Sequence, residues 1–272
     1  MNVYEPVTIG WDHENNRAAK VPVPGHKGAH WLIGGASGGG KSQAIHAALA
    51  QLAERDQLAL VVNDAALMDY IDWTPRVSCM ALGRQGGAWM LEQAQKEMIR
   101  RLRLGREMGV QSIEPSAELP HIVYVFDELA MVMMSKEIKG AAERLIECAQ
   151  VFRKTAQGLM LCTQHPKATI VPTILRGQCA VRLCLRTKER EATDAILDTQ
   201  RIPAHEIPFN LPGVGFVELP TGEIVKIRVP FVTPDEVKEV AGRTANLAPY
   251  LPPKHGWMPL YDPYEQGDED GE

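Results

Sequence analysis

The stretch Gly35-Ala36-Ser37-Gly38-Gly39-Gly40-Lys41-Ser42 constrains this chain more than any other part of its sequence. It fits the phosphate-loop pattern G-x-x-x-x-G-K-[ST], and its flanks fit too. His30-Trp31-Leu32-Ile33 reads as a buried strand entering the loop, and residues 43–55 as a helix leaving it. Glycines at the end of a strand let successive backbone N–H groups curl around a phosphate, and the N-terminus of the next helix adds partial positive charge. By this chemistry Gly35, Ala36, Ser37, Gly38, Gly39 and Gly40 cradle a nucleotide and Lys41 reaches the β- and γ-phosphates. The Ser42 hydroxyl is then placed to ligate Mg²⁺. A glycine-rich turn with a chance lysine needs neither flank, so the expectation is a nucleoside triphosphatase.

The 272 residues, 45% of them hydrophobic, suffice for one large α/β core with small additions. No run reaches the roughly 18 apolar residues of a membrane span, and the first residues, with Glu5, Asp12 and Glu14, lack a signal-peptide layout. A cytoplasmic protein is expected, with any membrane recruitment left to a partner. Cys79, Cys148, Cys162, Cys179 and Cys184 form no C-x-x-C pair and are expected as reduced core thiols. Six carboxylates (Asp262, Glu265, Asp268, Glu269, Asp270, Glu272) crowd the last 17 residues, and setting them aside turns a net charge of −5 into +1. Global charge therefore neither supports nor excludes a nucleic-acid partner.

Residues 6–9 and 19–23 are short β-like pieces around the polar turn 12–16, which suggests a hairpin on the edge of the main domain. Leu58 to Val62 is a short apolar run suited to a buried parallel strand. It ends at Asp64, which could approach the nucleotide or cap the following segment. A long helix opens near residues 83–87, with Leu91, Ala94, Met98 and Leu102 as its apolar stripe and Lys96, Arg100 and Arg103 on the opposite face. That basic face reads either as a DNA phosphate contact or as a solvated surface. Residues 109–120, with two prolines, read as a loop.

His121-Ile122-Val123-Tyr124-Val125-Phe126 predicts a central strand with Asp127 and Glu128 at its end. Asp127 is expected to hold Mg²⁺ through its water shell beside Ser42, and Glu128 to orient and deprotonate the attacking water. A helix over about 135–153 and a strand over 158–164 follow, which makes Gln164 a candidate sensor of the γ-phosphate or water. Residues 179–186 alternate as a further strand. Arg182 and Arg186 there are either solvent-facing edge residues or fingers that stabilise charge in a neighbouring subunit's site.

Together, residues 30–42, Asp127-Glu128-Leu129-Ala130, the stretch Gly158 to Pro166 with its Thr163-Gln164, and residues 182–198 resemble the FtsK/SpoIIIE branch of the FtsK–HerA DNA-pumping ATPases. The resemblance covers about residues 7–230. It implies a RecA-like P-loop NTPase core with a mainly parallel sheet flanked by helices, ATP as the nucleotide, and hexameric rings with sites between subunits. It further implies double-stranded DNA as the partner, Arg182 and Arg186 as intersubunit candidates, and Gln164 as a sensor. His165 departs from the arginine that commonly follows the Thr-Gln pair. There is room for neither the membrane region nor the winged-helix domain of the large cell-division members, so the chain is similar to the compact motors of conjugative elements and phages.

After a loop over 203–215, residues 216–219 and 224–229 read as a hairpin closing the core. Thr233-Pro234 opens a capped short helix, and beyond Asn246 prolines and acid suggest a mobile tail that is simply solvated, docks on a partner or shields a basic channel. The expected organisation is an N-terminal hairpin (1–29), a RecA-like ATPase domain (30–232), and a short helix with an acidic tail (233–272). The expected function is an ATP-driven double-stranded DNA translocase in conjugative, phage or plasmid transfer, loaded by a partner protein acting in trans. The alternatives are a viral packaging ATPase, a secretion ATPase moving protein, and a nucleotide-gated scaffold.

Overall fold

The computed structural model describes residues 2–199 and 201–264. In chain order the strands and α-helices are β1 (Val7–Asp12), β2 (Arg17–Val21), β3 (Trp31–Gly34), α1 (Lys41–Leu52), β4 (Leu58–Asp64), β5 (Cys79–Leu82), α2 (Gly83–Glu107), β6 (His121–Phe126), α3 (Leu129–Met133), α4 (Ala141–Val151), β7 (Gln157–Thr163), α5 (Thr173–Gly177), β8 (Val181–Leu185), α6 (Arg190–Leu197), β9 (Val214–Glu218), β10 (Ile224–Arg228), α7 (Pro234–Arg243) and β11 (Leu260–Tyr261). They build one sheet in the order β11-β5-β4-β6-β7-β3-β8-β9-β10-β1-β2. From β11 to β8 every pairing is parallel; from β8 to β2 every pairing is antiparallel.

The parallel strands are nearly continuous apolar runs because both of their faces are covered. Along β6, Val123 and Val125 enter the core on the α1 side, while Ile122, Tyr124 and Phe126 enter the core under α2, α3 and α4. This alternation follows from the two-residue repeat of a strand. In a parallel sheet the strands end on a common crest, where Gly34, Asp64, Phe126, Thr163 and Leu185 close β3, β4, β6, β7 and β8. The phosphate loop and the Asp127-Glu128 pair both lie on this crest.

The β1–β2 hairpin adds to the antiparallel edge through β10, and β9 pairs with β10 across the turn at residues 219–223. Thr233 caps α7 through a reciprocal capping box with Glu236. Three expectations change. The helix foreseen at 135–153 is shorter: after Gly140, at φ 66°, α4 runs only from Ala141 to Val151, and an unforeseen short helix, α3, starts directly after Glu128. Of the stripe on α2, Leu91, Ala94 and Met98 are buried but Leu102 is exposed, and Arg101 turns inward instead. There its guanidinium donates to Glu97 Oε1 (2.6 Å), Pro120 O (2.8 Å) and Thr155 O (3.0 Å), satisfying loop carbonyls that the apolar stripe could not.

The third change concerns the tail. Residues 247–264 pack against the sheet: Leu251 and Trp257 are buried, and β11 runs parallel to β5. Prolines there exclude regular helix but do not prevent a strap from burying apolar side chains. Glu265, Asp268, Glu269, Asp270 and Glu272 lie outside the described residues. All five cysteines are free and buried, and no helix among the described residues is long and apolar enough to cross a membrane.

Candidate active site

The loop of residues 35–40 leaves β3 at the crest, and α1 begins at Lys41 itself. Gly40 adopts φ 104°, and a Cβ there would lie 2.7 Å from Gly213 N, so only glycine fits. The loop is braced from two sides. Ala36 N–H donates to Arg186 O at 2.8 Å, and Gly213 N–H donates to Gly39 O at 3.0 Å. Lys41 is 8% exposed, and its ammonium donates to Gly35 O at 2.9 Å and Ala36 O at 3.3 Å. Burial lowers its pKa, while negative charge at Glu128 and Asp127 pulls in the other direction.

The two carboxylates after β6 occupy different environments. Asp127 is pushed up to about 6, first by burial and then by the neighbouring Asp69, Asp64 and Glu128, against the hydrogen bond that Tyr70 gives it. The Tyr70 hydroxyl donates to Asp127 Oδ1 at 2.9 Å. Glu128 is fixed by three donors: Thr163 Oγ1 (2.9 Å) and Ala130 N–H (3.2 Å) to Oε1, and Gln164 N–H (3.0 Å) to Oε2. Its side chain thus caps α3 and ties β6 to β7 at once. A single pocket is lined by Ser37, Lys41, Ser42, Asp127, Glu128 and Gln164. The residues expected to act on phosphate, cation and water are therefore neighbours.

Among the described residues no three His, Cys, Asp or Glu side chains form a closed metal cage. The surroundings nevertheless fit Mg²⁺, which favours one or two protein ligands with water and phosphate oxygens over an all-protein cage. Asp127 stands among Asp64, Asp69 and Glu128, a concentration of negative charge that burial makes costly and a divalent cation would relieve. Ser42 and Asp127 are the residues that would hold it. Asp64 is placed to cap: its Oδ2 accepts from Tyr70 N–H at 2.9 Å, folding residues 65–70 over the crest.

The arginines separate. Arg186, at the crest end of β8, donates from Nη2 to Ser37 O at 3.2 Å and lies 4.9 Å over the Phe209 ring. Arg182 pairs with Leu32 in the β3–β8 register, below the loop, and is held by Glu218 at 3.2 Å and by the carbonyl of Cys179 at 3.0 Å. Within the chain Arg182 is not brought to the site. Lys96, Arg100 and Arg103 share a groove on α2 with His255 and Glu107. They begin 13 residues past the start of α2 at Gly83, about 20 Å along the axis from the crest. Arg100 is doubly bonded to Glu97, at 2.8 and 2.6 Å, leaving Lys96 and Arg103 as the exposed cations. Sequence reasoning missed Tyr70 and Thr163. Thr163 had a signal, since it directly precedes Gln164 at a strand end; Tyr70 sits in an aperiodic turn and had none.

This fold, with a phosphate loop after a central strand and an Asp-Glu pair closing the strand two places away, defines an α/β core of the P-loop type. The FtsK/SpoIIIE family model matches residues 4–181, and the chain belongs to that family. A curated relative, the DNA translocase FtsK of Helicobacter pylori (strain J99 / ATCC 700824), is 27% identical over 264 residues, covering 88% of this chain and 30% of the relative. The chain therefore spans about a third of the length of that protein. Among solved structures, the cytoplasmic domain of the type VII secretion ATPase EccC from Thermomonospora curvata superposes with TM-score 0.73 at 20% identity, over 94% of this chain and 32% of that one. The pCW3 conjugation coupling protein TcpA, with ATPgS, gives TM-score 0.72 at 19% identity, over 91% and 71% of the two chains. These likenesses establish the fold.

Proposed function

We propose that the chain is the motor core of a double-stranded DNA translocase that hydrolyses ATP at subunit interfaces of a ring, in conjugative, phage or plasmid DNA transfer. The observation that carries this reading is the convergence of Lys41, Ser42, Asp127, Glu128 and Gln164 on one crest of a chain whose family includes DNA translocases. Backbone N–H groups of residues 35–40 and the Lys41 ammonium bind the phosphates and offset their charge. Ser42 and Asp127 would hold Mg²⁺, which would supply positive charge against the charge of the phosphates. Glu128, aimed by Thr163 and Gln164 N–H, orients the attacking water and accepts its proton. Gln164, one bond from that contact, senses the γ-phosphate and passes the change to β7.

Of the two arginines, Arg186 is the better intersubunit finger, since it stands on the crest while Arg182 is occupied by Glu218. A hexamer and a loading or membrane partner acting in trans complete the proposal. Steady-state ATP hydrolysis with and without long duplex DNA, at low and moderate salt, tests it, with Lys41→Ala as the blank. Salt-sensitive stimulation by the duplex is the expected result, because phosphate contacts release counterions. Hydrolysis indifferent to DNA would replace the DNA motor with a secretion ATPase moving protein or a packaging ATPase awaiting its partner.

A further inference from the structure

Tyr70 is fully buried. Its Oη donates to Asp127 Oδ1 at 2.9 Å, and Asp127 lines one pocket with Ser42. One phenol thus engages the carboxylate that, with Ser42, would hold the cation. The phenol has a single proton, which goes to Asp127.

The phenol is held independently of this contact. Tyr70 N–H donates to the buried Asp64 carboxylate at 2.9 Å, which anchors the turn to the end of β4. Its ring lies 5.1 Å from that of His46 on α1, and His46 Nδ1 accepts from Trp73 Nε1 at 2.9 Å. Strand, helix and the following turn fix the hydroxyl from three directions. A group so placed acts through its neighbours without needing to touch the nucleotide.

We infer that Tyr70 is a positioning residue that sets the divalent-cation affinity of the site by orienting the Asp127 carboxylate. This rests on the proposed reading that Ser42 and Asp127 hold Mg²⁺. Residues behind a metal ligand commonly change affinity by about 10- to 100-fold when removed.

The test uses Mn²⁺ as probe, with free Mn²⁺ followed by electron paramagnetic resonance in the presence of ADP, on the wild-type chain, Tyr70→Phe and Asp127→Asn. Tyr70→Phe keeps the ring and deletes one oxygen. It is expected to weaken Mn²⁺ binding by about 10-fold or more, while binding of a fluorescent ADP analogue in EDTA stays within about twofold. Mn²⁺ affinity equal to wild type, or an equal loss of metal-free nucleotide binding, overturns the inference. If Asp127→Asn binds Mn²⁺ as tightly as wild type, the metal reading itself falls and takes the inference with it. If Asp127→Asn weakens Mn²⁺ and Tyr70→Phe does not, only Tyr70 loses its role. Should Tyr70→Phe not fold, Asp64→Asn slackens the same turn, with the same loss expected and the same unchanged affinity overturning the inference.

Discussion

Glu128 and Gln164 are joined by the side chain of one and the backbone of the other: Gln164 N–H donates to Glu128 Oε2 at 3.0 Å, while Thr163 secures the other oxygen. The general base and the sensor therefore move together or not at all. Glu128→Gln keeps the shape of the side chain but removes its basicity and replaces one acceptor with an amide donor. Nucleotide binding should persist and hydrolysis should fall by at least about 100-fold. Binding of a fluorescent ATP analogue alongside steady-state phosphate release separates the two, and a rate near wild type would remove Glu128 from its role.

Arg182 and Arg186 should part company in the same pair of assays. Arg182→Ala leaves Glu218 partly buried without its partner, at a cost of roughly 1–3 kcal/mol in folding stability. Its hydrolysis per folded subunit should stay near wild type. Arg186→Ala should lower hydrolysis by about tenfold or more at assembling concentrations, since charge-stabilising arginines contribute mainly in the transition state. The reverse pattern, with Arg182 needed for turnover and Arg186 dispensable, would move the finger to the lower part of β8.

Much of the site was legible because its chemistry is written in short contiguous strings. A loop whose backbone binds phosphate needs glycines at fixed offsets, and a strand buried on both faces announces itself as an apolar run, as in Ile122 to Phe126. Tyr70, Arg101 and Trp257 were illegible for a shared reason. Each is placed by a contact distant in sequence, to Asp127, to Thr155 and to Tyr124, and no local period encodes such a contact. The late start of α4 was hidden because the positive φ at Gly140 belongs to the backbone conformation and not to the apolar pattern.

Two buried histidines should make the fold sensitive to acid. His30 accepts from Leu159 N–H at Nδ1 and donates from Nε2 to Ala149 O, and burial pushes it down to about 4. His121, hydrogen-bonded to Pro24 O, is pushed down to about 3 by burial. Unfolded histidine titrates near 6.5, so below that pH the unfolded chain binds more protons. Stability present above pH 6.5 is then lost on acidification, by about 1.4 kcal/mol per pH unit for each histidine. Asp127, raised to about 6, acts with the opposite sign: between about pH 6 and 4 the folded state holds its proton and gains stability. Denaturant midpoints at pH 7.5, 6 and 5 should fall, and Asp127→Asn should fall more steeply below pH 6. A flat wild-type profile would contradict the buried neutral histidines.

The strap that ends the described chain should matter for stability and leave the chemistry alone. Trp257 is 2% exposed, edge-on to Trp89 at 6.0 Å and stacked with Tyr124 at 6.2 Å. Tyr261, next in the strap, lies 4.6 Å over Trp89, and Met80 N–H of β5 donates to Pro259 O at 2.8 Å. These contacts cover the α2 side of β5 and β6, while the nucleotide pocket opens at the crest. Trp257→Ala should cost about 3–5 kcal/mol, the usual penalty for emptying a buried aromatic site. Urea titration should show the lower midpoint, and nucleotide affinity of the remaining folded protein should be unchanged below the new transition. A midpoint within error of wild type would mean that residues 247–264 are not held on the sheet, and the expectation of a mobile tail would return.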